Sequence, residues 1–313
     1  MSGFPLRFVE SGRGEAAGAA GPVYAVHSWR HLGDSIISAG AVHNVKAAHP
    51  EMRFAWTGHA PEVWEHNPDV VHREVPPPDV YLPRLHYGSV ELERQAARGT
   101  VVEGFTRTLC DLLGVPPVPC VTRVPYAVLS EEEKERAGRW RGALLLNANA
   151  QTLSFSKGYP HWQEVVDALA GRYTIIQVGS RERCNRSPDL RGVEDWRGRT
   201  ENVRDFMVMA AGCDGIVSPP SALVNIAAAF GKKGVVLNGA RELAALTAYP
   251  GMAHVSAYWP RCGSGADWAC IALRESGHRA CAQLFGNRAG WFAACMEAID
   301  PHAVAQTVVR VMG

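Results

Sequence analysis

The sequence lacks several features that would assign it to a large class of proteins. It has no apolar run of the ~18 residues that indicate a membrane-spanning helix, and no basic segment followed by an apolar one near its start, the pattern of a signal peptide. An excess of one charge is also missing, because 32 Lys and Arg residues face 31 Asp and Glu residues and leave a formal net charge of +1. This balance argues against binding to nucleic acid or anionic membranes through bulk charge. We therefore expect a cytoplasmic protein.

The best-known nucleotide and hydrolase motifs are absent too. The sequence contains no P-loop pattern G-x-x-x-x-G-K-S/T and no nucleophile elbow G-x-S-x-G. The pairs Gly12 with Gly14 and Gly263 with Gly265 do not follow predicted strands, so a Rossmann dinucleotide fingerprint has little support. These absences exclude the commonest ways of binding a nucleotide or activating a serine.

What the sequence does have is the composition of a globular protein and an alternating pattern. Its 313 residues are 47% hydrophobic and 20% charged, and this length suggests two domains. A strand, a polar turn, a helix and a second strand follow one another over residues 23–56. Further strands are predicted over 143–147, 173–178, 215–218 and 234–237, and helices over 161–170, 204–211, 222–230 and 301–312. This alternation predicts an α/β protein with parallel sheets.

The composition changes between Pro116 and Gly142, where several prolines precede a highly charged segment. Ser130 and Glu133 in that segment form a capping box, which predicts a solvent-facing helix. We place a linker here and expect a flexible leader over 1–21, an α/β domain over 22–125 and a second α/β domain over 126–313. Because open α/β sheets bind ligands at the carboxyl ends of their strands, the loops that follow the strands should carry the chemistry.

Three of these loops carry candidate ligand-binding residues. Lys157 lies ahead of a predicted helix, where a lysine can hold a diphosphate, although a solvated surface lysine is the commoner case. Ser221 precedes the helix over 222–230 and either caps it or helps to bind a phosphate. Gly179 follows a strand and marks either a close approach of the backbone to a ligand or a turn.

The turn before the first helix carries a carboxylate and two histidines. Asp34 is placed either to act as a general base or to cap the helix. His27 and His31 in the same turn are either polar surface residues or contacts to an acceptor.

Five segments, in order along the chain, resemble the ADP-heptose:lipopolysaccharide heptosyltransferases, which form family nine of the glycosyltransferases. They read G-D-S-I-I at 33–37, K-G-Y-P at 157–160, W-R-G-R-T at 196–200, S-P-P-S-A-L-V-N at 218–225 and C-M-E-A-I-D-P at 295–301. The resemblance implies the GT-B fold, in which two Rossmann-like α/β domains face each other across a cleft.

The resemblance also implies a reaction and the residues that perform it. The protein would transfer a sugar from a nucleotide-diphospho-sugar to an acceptor hydroxyl, with inversion and with no cofactor in the chemistry. Asp34 would be the general base of this reaction. The positions implied to bind the donor are Lys157, Gly179, Ser180, Glu182, Ser221, Ala222 and Asn225.

The chain departs from the family pattern at two of the donor-side positions. It has Pro220 where the family has Asp, and Asn225 where the family has His, so ADP-heptose is not assumed as the donor. Two alternatives therefore stay open. One is a glycosyltransferase that acts on modified DNA or another unusual acceptor, and the other is a non-catalytic nucleotide-binding protein of the same fold.

Four of the eight cysteines fall in one C-terminal stretch, for which we predict an insert over 259–296. Without a C-x-x-C pair, their spacing is a weak zinc signature. Some protein-modifying heptosyltransferases carry a four-cysteine iron site in this region, so the resemblance implies a structural iron or zinc site. Reduced thiols or disulfides that pin a loop are the alternative. The four residues are Cys262, Cys270, Cys281 and Cys295.

Overall fold

Two parallel β-sheets organise the computed structural model, which describes residues 21–27, 31–71, 78–83, 85, 99–148, 150–151, 157–181, 185–239, 244–257, 284–287 and 290–313. The smaller sheet contains β1 (Val23–Val26), β2 (Arg53–Trp56) and β3 (Val80–Tyr81), in the order β2-β1-β3. The predicted leader over 1–21 lies almost wholly outside the described residues.

The larger sheet is formed by six parallel strands. They are β4 (Ala143–Leu146), β6 (Thr174–Gln177), β8 (Glu194–Asp195), β9 (Gly215–Ser218), β10 (Lys233–Leu237) and β11 (Met252–Val255). Two short antiparallel pairs accompany the sheet: β5 (Ala150–Gln151) with β7 (Asn185–Arg186), and β12 (Leu284–Asn287) with β13 (Gly290–Ala293). The prediction of a mixed α/β protein with parallel sheets is confirmed.

The order of the six strands is β11-β10-β9-β4-β6-β8, so the chain reverses direction across the sheet at β4. After β4 the strands are added on one side, and from β9 onward they are added on the other. The carboxyl ends of β4 and β9 therefore form the topological switch point, where open α/β sheets bind their ligands.

The helices agree closely with the sequence pattern. In the second half of the chain, the predicted strand and helix ends lie within one residue of the observed ones. The helices are α1 (Leu32–Ala48), α2 (Val101–Leu113), α3 (Glu131–Ala137), α4 (Trp162–Leu169), α5 (Val203–Gly212), α6 (Ala222–Ala229), α7 (Ala294–Glu297) and α8 (Pro301–Met312).

Alternate residues of the larger sheet face two different helical layers. In β4, Leu145 packs with α5 and α6, whereas Leu144 and Leu146 pack on the opposite side with α4 and α8. Successive side chains of a strand point to opposite faces, so a strand covered on both faces reads as an unbroken apolar run. This is why the sequence identifies β4, β9 and β10 so well.

The strands that the sequence did not predict are short or polar. They include β3, with two exposed residues, β8, with two acidic residues, and β11, which is only partly buried along its length. Each lacks the apolar run that marks a fully buried strand, because it lies at the margin of its sheet.

Helix α1 is buried along most of its length and carries polar residues inside the core. The amide of Asn44 donates to Thr106 Oγ1 at 3.0 Å and to the carbonyl of Thr122 at 2.9 Å, and it accepts from the N–H of Thr122 at 2.8 Å. Ser35 Oγ accepts from the indole of Trp64 at 3.1 Å. These bonds fix the axial position of α1 and therefore the place of its first turn.

One prediction about α3 needs correction, because the helix is not simply solvent-facing. Its capping box forms as expected, with Ser130 Oγ accepting from the N–H of Glu133 at 3.2 Å. The side chain of Glu133, however, is buried and bonded to Arg204 of α5, with 2.7 Å between Nε and Oε1. Arg204 also donates to the carbonyls of Val128 and Glu62.

The charge state of Glu133 follows from this pairing. Burial alone would raise the pKa of its carboxyl group, but the hydrogen bonds from Arg204 and from the Ser130 N–H outweigh burial and lower the pKa below its ordinary value. Glu133 is therefore ionised and paired at neutral pH and joins α3 to α5, and its partner Arg204 extends the link to Glu62 and Glu65.

None of the helices in the described part of the chain combines the length and the apolarity that a bilayer-crossing segment needs.

The Arg204–Glu133 pair yields a stability prediction. Arg204→Met should lower the free energy of unfolding by about 3–5 kcal/mol, because it leaves a buried carboxylate without its partner. Urea denaturation followed by tryptophan fluorescence measures this change.

Arg136→Met is the matched control, since Arg136 pairs with Asp205 across the same two helices but is half-exposed. Its loss should cost much less, because solvent screens an exposed ion pair. Equal losses in the two variants would contradict the buried-pair argument.

Candidate functional site

The switch point of the larger sheet is occupied by a hydrogen-bonded group of polar side chains. Asn147 follows β4 and Ser221 follows β9, and Asn147 Nδ2 donates to Ser221 Oγ at 3.1 Å. Ser218, the last residue of β9, lies with its Oγ 2.8 Å from Ser221 Oγ. Polar side chains from two non-consecutive strands thus meet where the fold leaves a ligand crevice.

Ser221 occupies the N-cap position of α6, as predicted, but its hydroxyl makes no capping bond to the helix. The interpretation of Ser221 as a cap and nothing more is therefore wrong. Its side chain is turned toward Asn147 and Ser218 instead. The Ser221 hydroxyl therefore does not cap the first N–H groups of α6, and these groups form the positive end of a helix dipole.

Lys157 lies against the same turn. Its Nζ donates to the carbonyl of Pro220 at 3.1 Å, and the side chain is half-buried. Lys157 is therefore not a fully solvated surface lysine, which was the alternative interpretation. The ammonium group is held beside the N-terminus of α6, one residue away from Ser221.

The loop that carries Lys157 is anchored by Tyr159. This side chain is buried, its hydroxyl donates to the carbonyl of Ile299 at 2.9 Å, and its ring packs edge-on against Trp162. Burial raises the pKa of Tyr159 well above its ordinary value, so the phenol stays protonated and able to donate. The segment before α8 thereby fixes the position of the loop.

Asp34 lies in the first turn of α1, and only 6% of its surface is exposed. The N-cap residue is His31, whose side chain makes no capping bond to the helix, and Asp34 is the third residue of α1. The interpretation of Asp34 as an N-cap is therefore wrong. Asp34 is a nearly buried carboxylate at the start of a helix whose first turn faces α6.

The first turns of α1 and α6 are in contact, and a glycine makes this possible. A Cβ built on Gly33 would lie 3.3 Å from Asn225 Nδ2 and 3.9 Å from Ala222 Cα. Any larger residue would require Asn225 to shift. Gly33 thus brings the turn that carries Asp34 beside the turn that carries Ser221 and Ala222.

Asn225 is buried within this contact. Its Oδ1 accepts from the hydroxyl of Tyr249 at 2.9 Å, and its Nδ2 lies 3.4 Å from the carbonyl of Ser221. Tyr249 is itself buried, which raises the pKa of its phenol and keeps it a donor. Tyr249 is therefore a buried hydrogen-bond partner of Asn225.

His31 adds a titratable group to the site. Its pKa is lowered, first by burial and then by the positive charges of Lys157 and His59. His31 is therefore neutral at neutral pH, and it lies close enough to Lys157 to sense a change of charge there.

Gly179 and Ser180 follow β6, the strand next to β4. Gly179 has φ 130°, a region open mainly to glycine, and its carbonyl accepts from the N–H of Gly198 at 2.8 Å. Arg197, beside Gly198, is buried and bonded to Asp195. This framework holds the loop near the switch point. Glu182, the other residue predicted here, lies outside the described residues.

The sequence missed Asn147, Tyr249 and Tyr159 as contributors to the site. Asn147 was predicted as the last residue of a strand over 143–147, whereas the strand ends at Leu146, and a polar residue at the end of an apolar run was a usable signal. Tyr249 and Tyr159 are linked to their partners across 24 and 140 positions of sequence, and no local pattern reports such pairs.

The predicted cysteine site is largely outside the structural description. Cys262, Cys270 and Cys281 lie outside the described residues, and Cys295 is buried in α7 within the apolar layer of α4 and α8. In the part of the chain that is described, no group of three or more His, Cys, Asp or Glu residues is arranged to hold a metal ion. The metal site stays a prediction.

Comparison with known sequences assigns no family. No protein-family model matches the chain. No curated protein sequence matches it either.

Comparison with solved structures shows that the fold is one found among glycosyltransferases. The structure of ADP-heptose LPS heptosyltransferase II from E. coli has a TM-score of 0.59 and 13% identity, and the match covers 92% of this chain and 98% of that one.

Two further structures are similar to the same degree. A family 9 glycosyltransferase from Veillonella parvula has a TM-score of 0.60 and 11% identity over 93% of this chain and 97% of that one. The iron-containing dodecameric glycosyltransferase TibC from enterotoxigenic E. coli has a TM-score of 0.62 and 12% identity over 93% and 76%. At these identities the likeness defines the fold.

Proposed function

We propose that this protein is a glycosyltransferase that moves a sugar from a nucleotide-diphospho-sugar to an acceptor hydroxyl, with inversion. The observation that carries the proposal is the contact between the first turns of α1 and α6. It sets the turn that carries Asp34, a nearly buried carboxylate, against the first turn of α6, and Lys157 contacts Pro220 just before that helix. A base and an anion-binding site side by side are what sugar transfer from a diphosphate requires.

The fold supports the same proposal. We assign residues 22–125 to an acceptor-side domain and 126–313 to a donor-binding domain, in the GT-B arrangement of two Rossmann-like units that face each other across a cleft. The switch point of the larger sheet then lies on the donor side, and α1 carries the base from the acceptor side. We place the reaction in the cytoplasm.

Departure of the diphosphate is the step that Lys157 and α6 would assist. As the glycosidic bond breaks, negative charge develops on the phosphate oxygens. An ammonium group and the N–H groups of a helix N-terminus stabilise that charge without reorganising, because both are already fixed in place. Lys157 is fixed by Pro220 and by the Tyr159 anchor.

Activation of the acceptor would fall to Asp34. A carboxylate that is largely removed from solvent accepts the proton of a sugar hydroxyl as that hydroxyl attacks the anomeric carbon. Attack from the side opposite the leaving diphosphate inverts the anomeric centre. The remaining donor positions in the proposal are Gly179, Ser180, Glu182, Ser221, Ala222 and Asn225.

We assign the donor to the class of the nucleotide-diphospho-sugars. TibC has been solved in complex with ADP-D-β-D-heptose, but Pro220 and Asn225 give this chain a different donor side. In the reaction that we propose, no metal ion takes part in the chemistry. A structural iron or zinc ion bound by Cys262, Cys270, Cys281 and Cys295 is part of the proposal, and the clustering of these cysteines supports it.

The role of Lys157 can be measured directly. Lys157→Ala should weaken the binding of the nucleoside diphosphate that the wild type prefers by about tenfold to a hundredfold, because it removes a charge-assisted hydrogen bond. Isothermal titration with ADP, UDP, GDP and CDP identifies that nucleotide and gives both affinities.

Lys134→Ala on the exposed face of α3 is the control and should bind as the wild type does. An unchanged affinity in Lys157→Ala would refute its contact with the diphosphate.

Asp34→Asn tests the base. It should lower kcat at least a hundredfold while changing the affinity for the nucleoside diphosphate less than about twofold, since the amide cannot accept the proton. Donor turnover is followed by mass spectrometry with candidate nucleotide-sugars and acceptors.

The exposed carboxylate of Asp111 on α2 supplies the control, and Asp111→Asn should keep full activity. Wild-type turnover in Asp34→Asn would show that Asp34 is not the base, whereas binding without turnover in the wild type would favour a non-catalytic nucleotide-binding protein.

His31 should couple binding to proton uptake. Its pKa is lowered in the free protein, and a diphosphate beside Lys157 adds negative charge that raises it again. Binding at a pH between the lowered pKa of His31 in the free protein and its higher pKa in the complex should therefore take up protons, and affinity should rise as the pH falls through that interval. Titration calorimetry in two buffers of different ionisation enthalpy measures the uptake.

His31→Gln should abolish most of this uptake, whereas His302→Gln on the exposed side of α8 should not. Uptake of the same size in both variants would place the responsible group elsewhere.

A further inference from the structure

The hydroxyl groups at the switch point form a chain that ends on a carbonyl oxygen. Ser218 Oγ lies 2.6 Å from the carbonyl oxygen of Pro219. Ser221 Oγ lies 2.8 Å from Ser218 Oγ, and Asn147 Nδ2 lies 3.1 Å from Ser221 Oγ. Ser218 is completely buried, so water does not compete for its bonds.

The terminal carbonyl gives this chain a single direction. The Pro219 carbonyl can only accept, so it takes the one hydroxyl proton of Ser218. Ser218 Oγ can then only accept from its neighbour, and it takes the hydroxyl proton of Ser221. Ser221 Oγ in turn accepts a hydrogen bond from Asn147 Nδ2. This direction requires the nitrogen of the Asn147 amide, and not its oxygen, to face Ser221.

Ser221 therefore has no proton to offer a ligand. A hydroxyl oxygen has two acceptor lone pairs, and Asn147 uses one of them. What Ser221 presents to the half-exposed side of the crevice is a lone pair. The oxygens of a bound diphosphate are acceptors as well, and two acceptors cannot form a hydrogen bond. A phosphate contact to Ser221 Oγ would require the buried chain to break.

We infer that Ser221 Oγ accepts a hydrogen bond from a hydroxyl group of the donor, and that the diphosphate is held by Lys157 and the α6 N–H groups without it. The inference rests on the proposed function and makes Ser221 a specificity-determining residue. The hydroxyl belongs either to the ribose or to the transferred sugar, and both present the same donor chemistry.

The experiment compares ligands with and without that hydroxyl. Binding to wild type and Ser221→Ala is measured by calorimetry for inorganic pyrophosphate, the preferred nucleoside diphosphate, its 2′-deoxy and 3′-deoxy analogues, and the corresponding nucleotide-sugar. Thermal melting confirms that each variant is folded.

If the ribose supplies the hydroxyl, Ser221→Ala should weaken binding of the nucleoside diphosphate by about threefold to tenfold. Pyrophosphate and one of the two deoxy analogues should then bind wild type and variant equally. If Ser221→Ala lost affinity only for the nucleotide-sugar, the hydroxyl would belong to the transferred sugar instead.

Ser218→Ala provides a second, independent variant. It keeps Ser221 but removes the acceptor of its proton, so Ser221 becomes able to donate outward. Pyrophosphate binding should then tighten, whereas loss of a merely structural hydrogen bond would weaken it or leave it unchanged.

Two results would overturn the inference. One is an equal loss of pyrophosphate and nucleotide affinity in Ser221→Ala, which would mean that the hydroxyl contacts phosphate. The other is unchanged affinity for every ligand. Failure of the wild type to bind any nucleoside diphosphate or nucleotide-sugar would instead contradict the proposed function itself.

Discussion

The approach of the first turn of α1 to the first turn of α6 is the constraint on which the candidate site depends. Gly33 lies at this contact, and a Cβ there would crowd the amide of Asn225 at 3.3 Å. Two helix N-termini that meet in this way both carry partial positive charge, and the nearby Lys157 ammonium adds a full one. Asp34 in the first turn of α1 supplies one negative charge near these positive groups. The diphosphate site that we propose depends on the same contact that joins the two helices.

The rest of the fold holds these groups in place. Asn44 and Ser35 fix α1 from within the core, and Tyr159 fixes the Lys157 loop to the segment before α8. The buried Arg204–Glu133 pair joins α3, α5 and residues 62–65. Each of these links is a hydrogen bond made by a buried polar side chain. Such bonds are directional, so they fix the position of a helix or loop more closely than apolar packing alone. The site is thus built on elements whose own positions are determined by hydrogen bonding.

Much of the fold could be predicted from the sequence, and the elements that could not be predicted have a physical feature in common. Strands β4, β9 and β10 are covered on both faces and so carry the apolar runs that reveal them, whereas β8 and β11 do not. The sequence placed Asp34, Lys157 and Ser221 in loops after strands because the strand–turn–helix rhythm is local. It did not find the pairing of Tyr249 with Asn225 or of Asn147 with Ser221, because the partners are separated by 24 and 74 positions.

The sequence by itself determined the alternation of strands and helices, the ends of those elements and the loops in which chemistry should be sought. Only the tertiary structure decided what the side chains in those loops do. It turned Ser221 away from its helix, seated Lys157 on the carbonyl of Pro220 and ended the serine chain on the carbonyl of Pro219. The reason is physical: strand and helix propensities act over a few residues, but the acceptor that receives a given proton is chosen by the packing of the whole sheet.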